Sequence, residues 1–425
     1  MTGITVTIIA KNETAFLPEC LASVAAVADE IVVADTGSTD STREIARAAG
    51  AIVLEVPWRD DFAWARNRAL DAVRTPWVLV LDADERLVAD DIPTLLQAAA
   101  APCADAYNIR IVSLADRPED LSEAQVTRFF RHDPRIRWSG RVHEQIIPSL
   151  LQAGLKLGVL NVRLLHYGYL GAVTTSRDKV RRNLALLDRM KRERPQDPYV
   201  RWQRAQTLIQ AGEPGPAARE AEAAERLLPV RSDLQPLVTV TLAKAYWSAG
   251  DLHRANRAID RGLVHWPRYP DFHFLKGQLA AAGRDFRAAE TSFLRAVSCG
   301  EQIGFLQTET GVGSFKPLWQ LARIMLQEGN GPRATAYLLV LLRVQPYFRP
   351  AWQTLLAVLA GTPIEVVAEQ VLRQMPRETA LAALSQISDP GPDEMAFEAY
   401  LTALPTTQRA SESNGSDGPK GASVA

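Results

Sequence analysis

The feature that most constrains the fold is an alternation filling the first 85 residues. Short apolar runs rich in β-branched residues, Ile4 to Ala10, Glu30 to Ala34, Ala51 to Val56 and Val78 to Glu85, are separated by stretches with helical spacing. Such runs suit strands buried on both faces, and strand, helix, strand, helix with short turns predicts a parallel sheet with crossover helices. In that arrangement the carboxyl ends of the strands share one edge, the side where open α/β sheets bind ligands. The last run, VLVLDADE, ends in Asp82 and Asp84 with Glu85 next. Carboxylates clustered there predict a divalent cation that holds a diphosphate.

Two other loops are expected on the same edge. Lys11-Asn12-Glu13 follows the first strand, and Asp35 to Thr42 follows the second, opening into a helix from Arg43 to Ala49 that stops at Gly50. Gly37 permits close backbone approach, and the hydroxyls and helix-opening amides of that loop can hold polar groups, although Ser41 or Asp40 also suits a helix cap. Asp61 to Val73 is amphipathic, with Phe62, Ala65, Ala69 and Val73 on one face; Arg66 and Asn67 sit near its start and read equally as solvated residues or as site residues. Beyond it a helix is expected over Ile92 to Ala100 and a strand over Ala106 to Val112. The segment Arg128 to Gln145 concentrates five arginines, three aromatics and two histidines, and reads by default as a basic surface loop. His166-Tyr167-Gly168-Tyr169 forms a second histidine and aromatic cluster. A basic helix then runs from Ser176 to Arg194, where Arg177, Lys179, Arg181 and Arg182 either close over a diphosphate or form a solvated face.

After Pro195 the strand pattern ends. Ala- and Leu-rich helices follow, separated by turns at Gly212, Gly250, Gly283 and Gly329, spacings of 33 to 46 residues. This array resembles tetratricopeptide repeats, helical hairpins of about 34 residues that stack into a superhelix. Ala410 to Ala425, rich in Ser, Gly and Asn, is expected to be a disordered tail.

At 425 residues two domains are the default, and 48 Lys plus Arg against 49 Asp plus Glu leaves no global basic field for nucleic acid. Cys20, Cys103 and Cys299 are too scattered for a disulfide framework or a zinc site. With no leader-like N-terminus and no apolar stretch of transmembrane length, a cytoplasmic protein is expected.

Five motifs in order, VTIIAKNE at 6–13, VVADTGSTDST at 32–42, DFAWARNRAL at 61–70, LDADE at 81–85 and GRVHEQ at 140–145, make the first part resemble the family 2 glycosyltransferases of GT-A fold. The likeness is strongest to the bacterial branch that joins such a domain to tetratricopeptide repeats, which is similar to lipopolysaccharide core glucosyltransferases. The expected architecture is an α/β GT-A domain, Rossmann-like, over 1–170, a connecting basic helix over 171–195, all-α tetratricopeptide-like repeats over 196–385, and a last helix and tail over 386–425. The resemblance implies inverting transfer from a nucleotide-sugar, usually a UDP-sugar, assisted by Mg²⁺ or Mn²⁺. It assigns Asp35 to the nucleotide base, Asn12, Glu13 and Asn67 to the nucleotide pocket, and the DxD role at ribose and metal to Asp82 and Asp84. A general base is needed across the sugar from the metal: Glu144 is the candidate, with Glu85 and Asp133 as competitors. A late histidine, His166 or His143, is expected at the metal or the phosphates. The acceptor is a saccharide, a lipid-linked saccharide or a peptide, and the repeats bind it or a protein partner. The competing reading is a repeat scaffold whose transferase domain binds a nucleotide-sugar without turnover. A dinucleotide-binding oxidoreductase is disfavoured because Lys11-Asn12-Glu13 stands where GxGxxG would be needed.

Overall fold

A computed structural model describes residues 3–114, 122–168, 173–229, 231–301, 309–385, 387 and 390–404. The expected tail and Tyr169 lie outside the described residues.

The alternation folds as it reads: β1 (Ile4–Ala10), α1 (Leu17–Val24), β2 (Glu30–Asp35), α2 (Thr42–Ala48), β3 (Ile52–Glu55), α3 (Phe62–Leu70) and β4 (Trp77–Asp82). The order β3-β2-β1-β4 is parallel throughout. Register sets Ala10 beside Asp35 and Ile9 beside Asp82, so the loops after β1, β2 and β4 share one edge. Gly37 turns the second of these loops with φ +106, a conformation that glycine adopts without a Cβ clash.

The sheet then continues through β5 (Glu85–Leu87), α4 (Ile92–Ala100), β6 (Ala106–Ser113), β7 (Ser122–Arg131), α5 (Ile147–Gln152) and β8 (Leu157–His166). β7 inserts antiparallel between β4 and β6, and β8 runs parallel to β6 and antiparallel to β5. Sequence reading predicts β6 but neither β7 nor β8. In β8 only Val162 and Leu164 are buried, and β7 carries Arg128 and Arg131, so neither shows a continuous apolar run. The Arg128 to Arg131 end of the supposed basic surface loop is therefore strand, with Phe129 stacked on Trp77 at 4.7 Å between ring centroids.

The helical part begins with α6 (Val173–Glu193), continues with α7 (Pro198–Gln210), α8 (Pro214–Leu227), α9 (Gln235–Ser248), α10 (Leu252–His265), α11 (Pro270–Ala282), α12 (Phe286–Cys299), α13 (Phe315–Gln327) and α14 (Gly331–Val344), and closes with α15 (Arg349–Val358), α16 (Ile364–Leu372), α17 (Arg377–Leu384) and α18 (Pro392–Ala403). The turns share one rule. The residue just before the helix-capping position takes the left-handed conformation: Gly250 before Asp251 and Gly329 before Asn330. At the third turn an extra residue precedes the cap Asp285, and Arg284, φ +61, takes that role in place of Gly283. Among the described residues no helix is long and apolar enough to cross a membrane.

One buried acid of this part gives a stability prediction. Asp271, in the first turn of α11, is 4% exposed, and neither carboxylate oxygen is hydrogen-bonded to another described residue. Burial pushes it up to about 7 from the ordinary 3.8, against the pull of Lys244. The folded chain therefore binds more protons than the unfolded one between those values, and stability falls as pH rises through that window. Thermal unfolding at pH 5 and pH 8 should show this fall in the native protein and a smaller one in Asp271→Asn; equal profiles would contradict it.

Candidate functional site

A cleft of about 510 Å³ opens at the carboxyl edge of the sheet. It is bordered by Glu13 after β1, Thr36 after β2, Asp82 and Asp84 at the end of β4, Phe62 and Arg66 of α3, Val142, His143 and Glu144 before α5, His166 at the end of β8, and Arg182 and Asn183 of α6. A larger hollow of about 790 Å³ lies among α8, α9 and α10, but its carboxylate, Glu225, is already engaged by Arg261 at 3.1 Å.

Two buried arginines organise the floor. Arg66 donates from Nε to Glu144 Oε1 and from Nη2 to Asp82 Oδ1, each at 2.6 Å. Arg128 donates from Nη2 to Asp82 Oδ2 at 2.7 Å and to Glu85 Oε1 at 3.0 Å, while the Asp82 amide donates to Glu85 Oε2 at 2.8 Å. Burial alone would raise the Asp82 carboxyl, but Arg128 and Arg66 override it and hold it well below the usual carboxylate range. Glu85 lacks such compensation: burial, with the Asp82 charge, pushes it up to about 7 despite Arg128. Both Glu85 oxygens are thus spent inside the protein, and Asp133 is bound to Arg135 on an exposed turn. Of the candidate bases only Glu144 borders the cleft. Arg66 is the only described residue that donates to it, which leaves Oε2 unbonded by any described residue.

At the other side, His166 Nε2 lies 3.2 Å from Asp84 Oδ2, and its Nδ1 lies 3.3 Å from Ser113 Oγ. The β5–β8 pairing delivers it, setting His166 opposite Glu85. Burial disfavours the imidazolium, but Asp84 and the neighbouring acids outweigh it and raise the His166 pKa. A Cβ at Gly168 would fall onto Asp84 Oδ2 and within 2.8 Å of His166 Nε2, so glycine leaves a cradle beside both donors. Glu13 is pushed up to about 7 by burial and then by the Asp84 charge. A carboxylate and an imidazole facing a space kept clear, with a second acid, Glu13, nearby, fit a hard divalent cation that takes its remaining ligands from phosphate oxygens and water. Among the described residues no three His, Cys, Asp or Glu side chains already converge as a closed cage.

Glu13, Asp82, Asp84, Glu144 and His166 thus meet around one cleft. The other three expected site residues shape its loops instead of lining it. Asn12, itself at φ +58, accepts from the Thr39 amide at 2.8 Å; Asp35, 2% exposed, accepts from the Gly37 and Ser38 amides at 3.1 to 3.2 Å. Asn67 holds both the amide and the carbonyl of Trp138 at 2.9 Å, fixing the start of the loop that carries Glu144. On α3 the cleft residue is Arg66, not its neighbour Asn67. Position 66 lies four residues after Phe62 and three before Ala69, on the inward face, which was the available signal. Arg128, inside an unpredicted strand, had none. Arg182 stands over the Phe62 ring at 5.2 Å, and partial burial lowers its pKa; among the described residues it donates to Asn183.

Residues 5–143 match the Glycosyl transferase family 2 model. The chain is 34% identical over 221 residues to a TPR repeat-containing protein of Synechococcus elongatus, spanning 50% of this chain and 54% of that one. It is 26% identical over 198 residues to the SPbeta prophage-derived glycosyltransferase SunS of Bacillus subtilis, 46% of each chain. It is 33% identical over 153 residues to the lipopolysaccharide core biosynthesis glycosyltransferase LpsC of Rhizobium meliloti, 33% of this chain and 56% of that one. The chain spans about half the length of these curated relatives.

Proposed function

We propose that this chain, which carries a family 2 glycosyltransferase domain ahead of tetratricopeptide-like repeats, transfers a sugar with inversion from a nucleotide-sugar, preferentially a UDP-sugar, to an acceptor hydroxyl. The observation that carries the reading is Arg66, which ties Asp82 on the donor side to Glu144 on the far wall of one cleft. Inverting displacement needs a leaving-group side and a base, and the reading assigns Asp82 to the first and Glu144 to the second, both held by one guanidinium.

Loops 11–13 and 35–39 receive the nucleotide, with Asp35 shaping the loop at the base end, Asn12 bracing the two loops, Glu13 along the pocket, and Asn67 setting its rim through Trp138. Asp82, fixed by Arg66 and Arg128, faces the ribose. Asp84 and His166 would hold Mg²⁺ or Mn²⁺, which supplies Lewis-acid neutralisation of the departing diphosphate. Arg182, over the Phe62 ring and without a carboxylate partner among the described residues, adds positive charge to the cleft. Glu144 Oε2 takes the proton of the acceptor hydroxyl as its oxygen bonds to the anomeric carbon and the bond to the diphosphate breaks. Arg66, holding Oε1, aims that carboxylate. The acceptor is a saccharide, a lipid-linked saccharide or a peptide, reached with help from the helical repeats.

A screen of UDP- and dTDP-sugars with Mn²⁺, read as nucleoside diphosphate release, tests the reading, together with UDP calorimetry with and without the metal. Metal-dependent UDP binding and release from one donor are expected. Binding without release under any acceptor would point to a nucleotide-sugar-binding scaffold, and no binding at all would overturn the assignment.

A further inference from the structure

The loop that carries Glu144 belongs to the sheet domain, yet it is held by the helical one. Ser139 and Gln145 close the loop through paired backbone hydrogen bonds of 2.9 and 2.8 Å. Between them His143 stands at φ +51, a left-handed conformation costly for a residue with a Cβ, which persists only where surroundings enforce it. The enforcing contact comes from Tyr199, in the first turn of α7. Its hydroxyl donates to the His143 carbonyl at 3.1 Å and accepts from Gln145 Nε2 at 2.6 Å and Gln203 Nε2 at 3.0 Å. One donor and two acceptor sites are the full capacity of a phenol. The two loop contacts are to the residues immediately before and after Glu144. Val142 is buried with Leu186, Leu187, Met190 and Val200 of α6 and α7, so the same helices also fix the loop by packing.

We infer that Tyr199 is a positioning residue for the base, and that the helical domain completes the active site by holding the His143 carbonyl and the Gln145 side chain on either side of Glu144. The inference rests on the assignment of Glu144 as the base. It gives the fusion of the two domains a mechanical reason distinct from acceptor binding: without α7 the left-handed turn at His143 loses its support, and Glu144 Oε2 loses its aim. Misplacement of a catalytic group by about 1 Å can cost about 100-fold.

The test is a double-mutant cycle in the whole 425-residue chain. Its readouts are Mn²⁺-dependent release of UDP from UDP-glucose, or from the UDP-sugar the screen selects, with water as acceptor, and UDP affinity in the presence of Mn²⁺. Tyr199→Phe keeps the ring and removes the hydroxyl. It should lower kcat about 10- to 100-fold, leave KM and UDP affinity within about twofold, and cost nothing further in a Glu144→Gln background. Should the phenylalanine variant lose its folding transition, Gln145→Leu cuts the other strut and should show the same split. Unchanged kcat in a folded Tyr199→Phe protein, or losses that multiply in the double variant, would overturn the clamp while leaving the base assignment intact. If Glu144→Gln alone turns over normally, the base assignment itself falls, and the clamp with it.

Discussion

Replacement of Asp84 by alanine is expected to lower metal-dependent donor turnover on the order of 10³-fold while leaving the thermal midpoint almost unmoved. The two halves of that statement have separate reasons. The Asp84 side chain is 21% exposed, and its only hydrogen bond to a described side chain is the one with His166, so little of the fold depends on it. Surface changes of this kind stay within about 0.5 kcal/mol. Chemically, however, it is the carboxylate of the pair that would hold the cation, and His166 alone is a poor ligand for a hard ion. UDP affinity should then cease to respond to Mn²⁺. The same change removes one cause of the raised Glu13 pKa, leaving burial as the chief one. Turnover within tenfold of the native rate, or UDP binding still enhanced by Mn²⁺, would sink the assignment.

Glu144→Gln should lower kcat by about 10² to 10⁴, the usual worth of a positioned base, with UDP and Mn²⁺ affinities unchanged. The amide is isosteric and can still accept from Arg66 through its carbonyl oxygen, while Arg66 keeps its ion pair with Asp82 at 2.6 Å. No buried cation is stranded, so the variant should remain folded and the loss can be read as chemistry. Measuring the thermal midpoint, donor hydrolysis and UDP binding on one preparation separates the possibilities. Hydrolysis within threefold of the native rate would place the base elsewhere, with Glu13 the remaining cleft carboxylate, among the described residues, outside the Asp82 and Asp84 pair.

Much of the site could be read before the fold. Asp82, Asp84 and Glu13 lie at or just past the ends of buried strands, and a parallel sheet sends such positions to one edge whatever the details of packing. Glu144 and His166 were legible only as members of unusual clusters. What brings them to the cleft is β7 and β8, strands too polar or too exposed to announce themselves, together with the pairing that sets His166 opposite Glu85. The choice between Arg66 and Asn67 turned on about 100° of helix rotation, and motif reading alone does not resolve adjacent positions. Arg128 presents the reverse case: a residue that reads as surface is 6% exposed, because Asp82 and Glu85 pair with it in a charge network that Arg66 extends to Glu144.

The parallel half of the sheet, the carboxylates at its edge and the change to helical hairpins after Pro195 are legible in the chain, since each depends on local periodicity and on residues adjacent in sequence. Tertiary structure alone decided how the far wall is built. Glu144 is joined to Asp82 through Arg66, and its loop is clamped by Tyr199 from a helix more than fifty residues onward. Those contacts are side-chain directions and long-range hydrogen bonds, which no local pattern encodes.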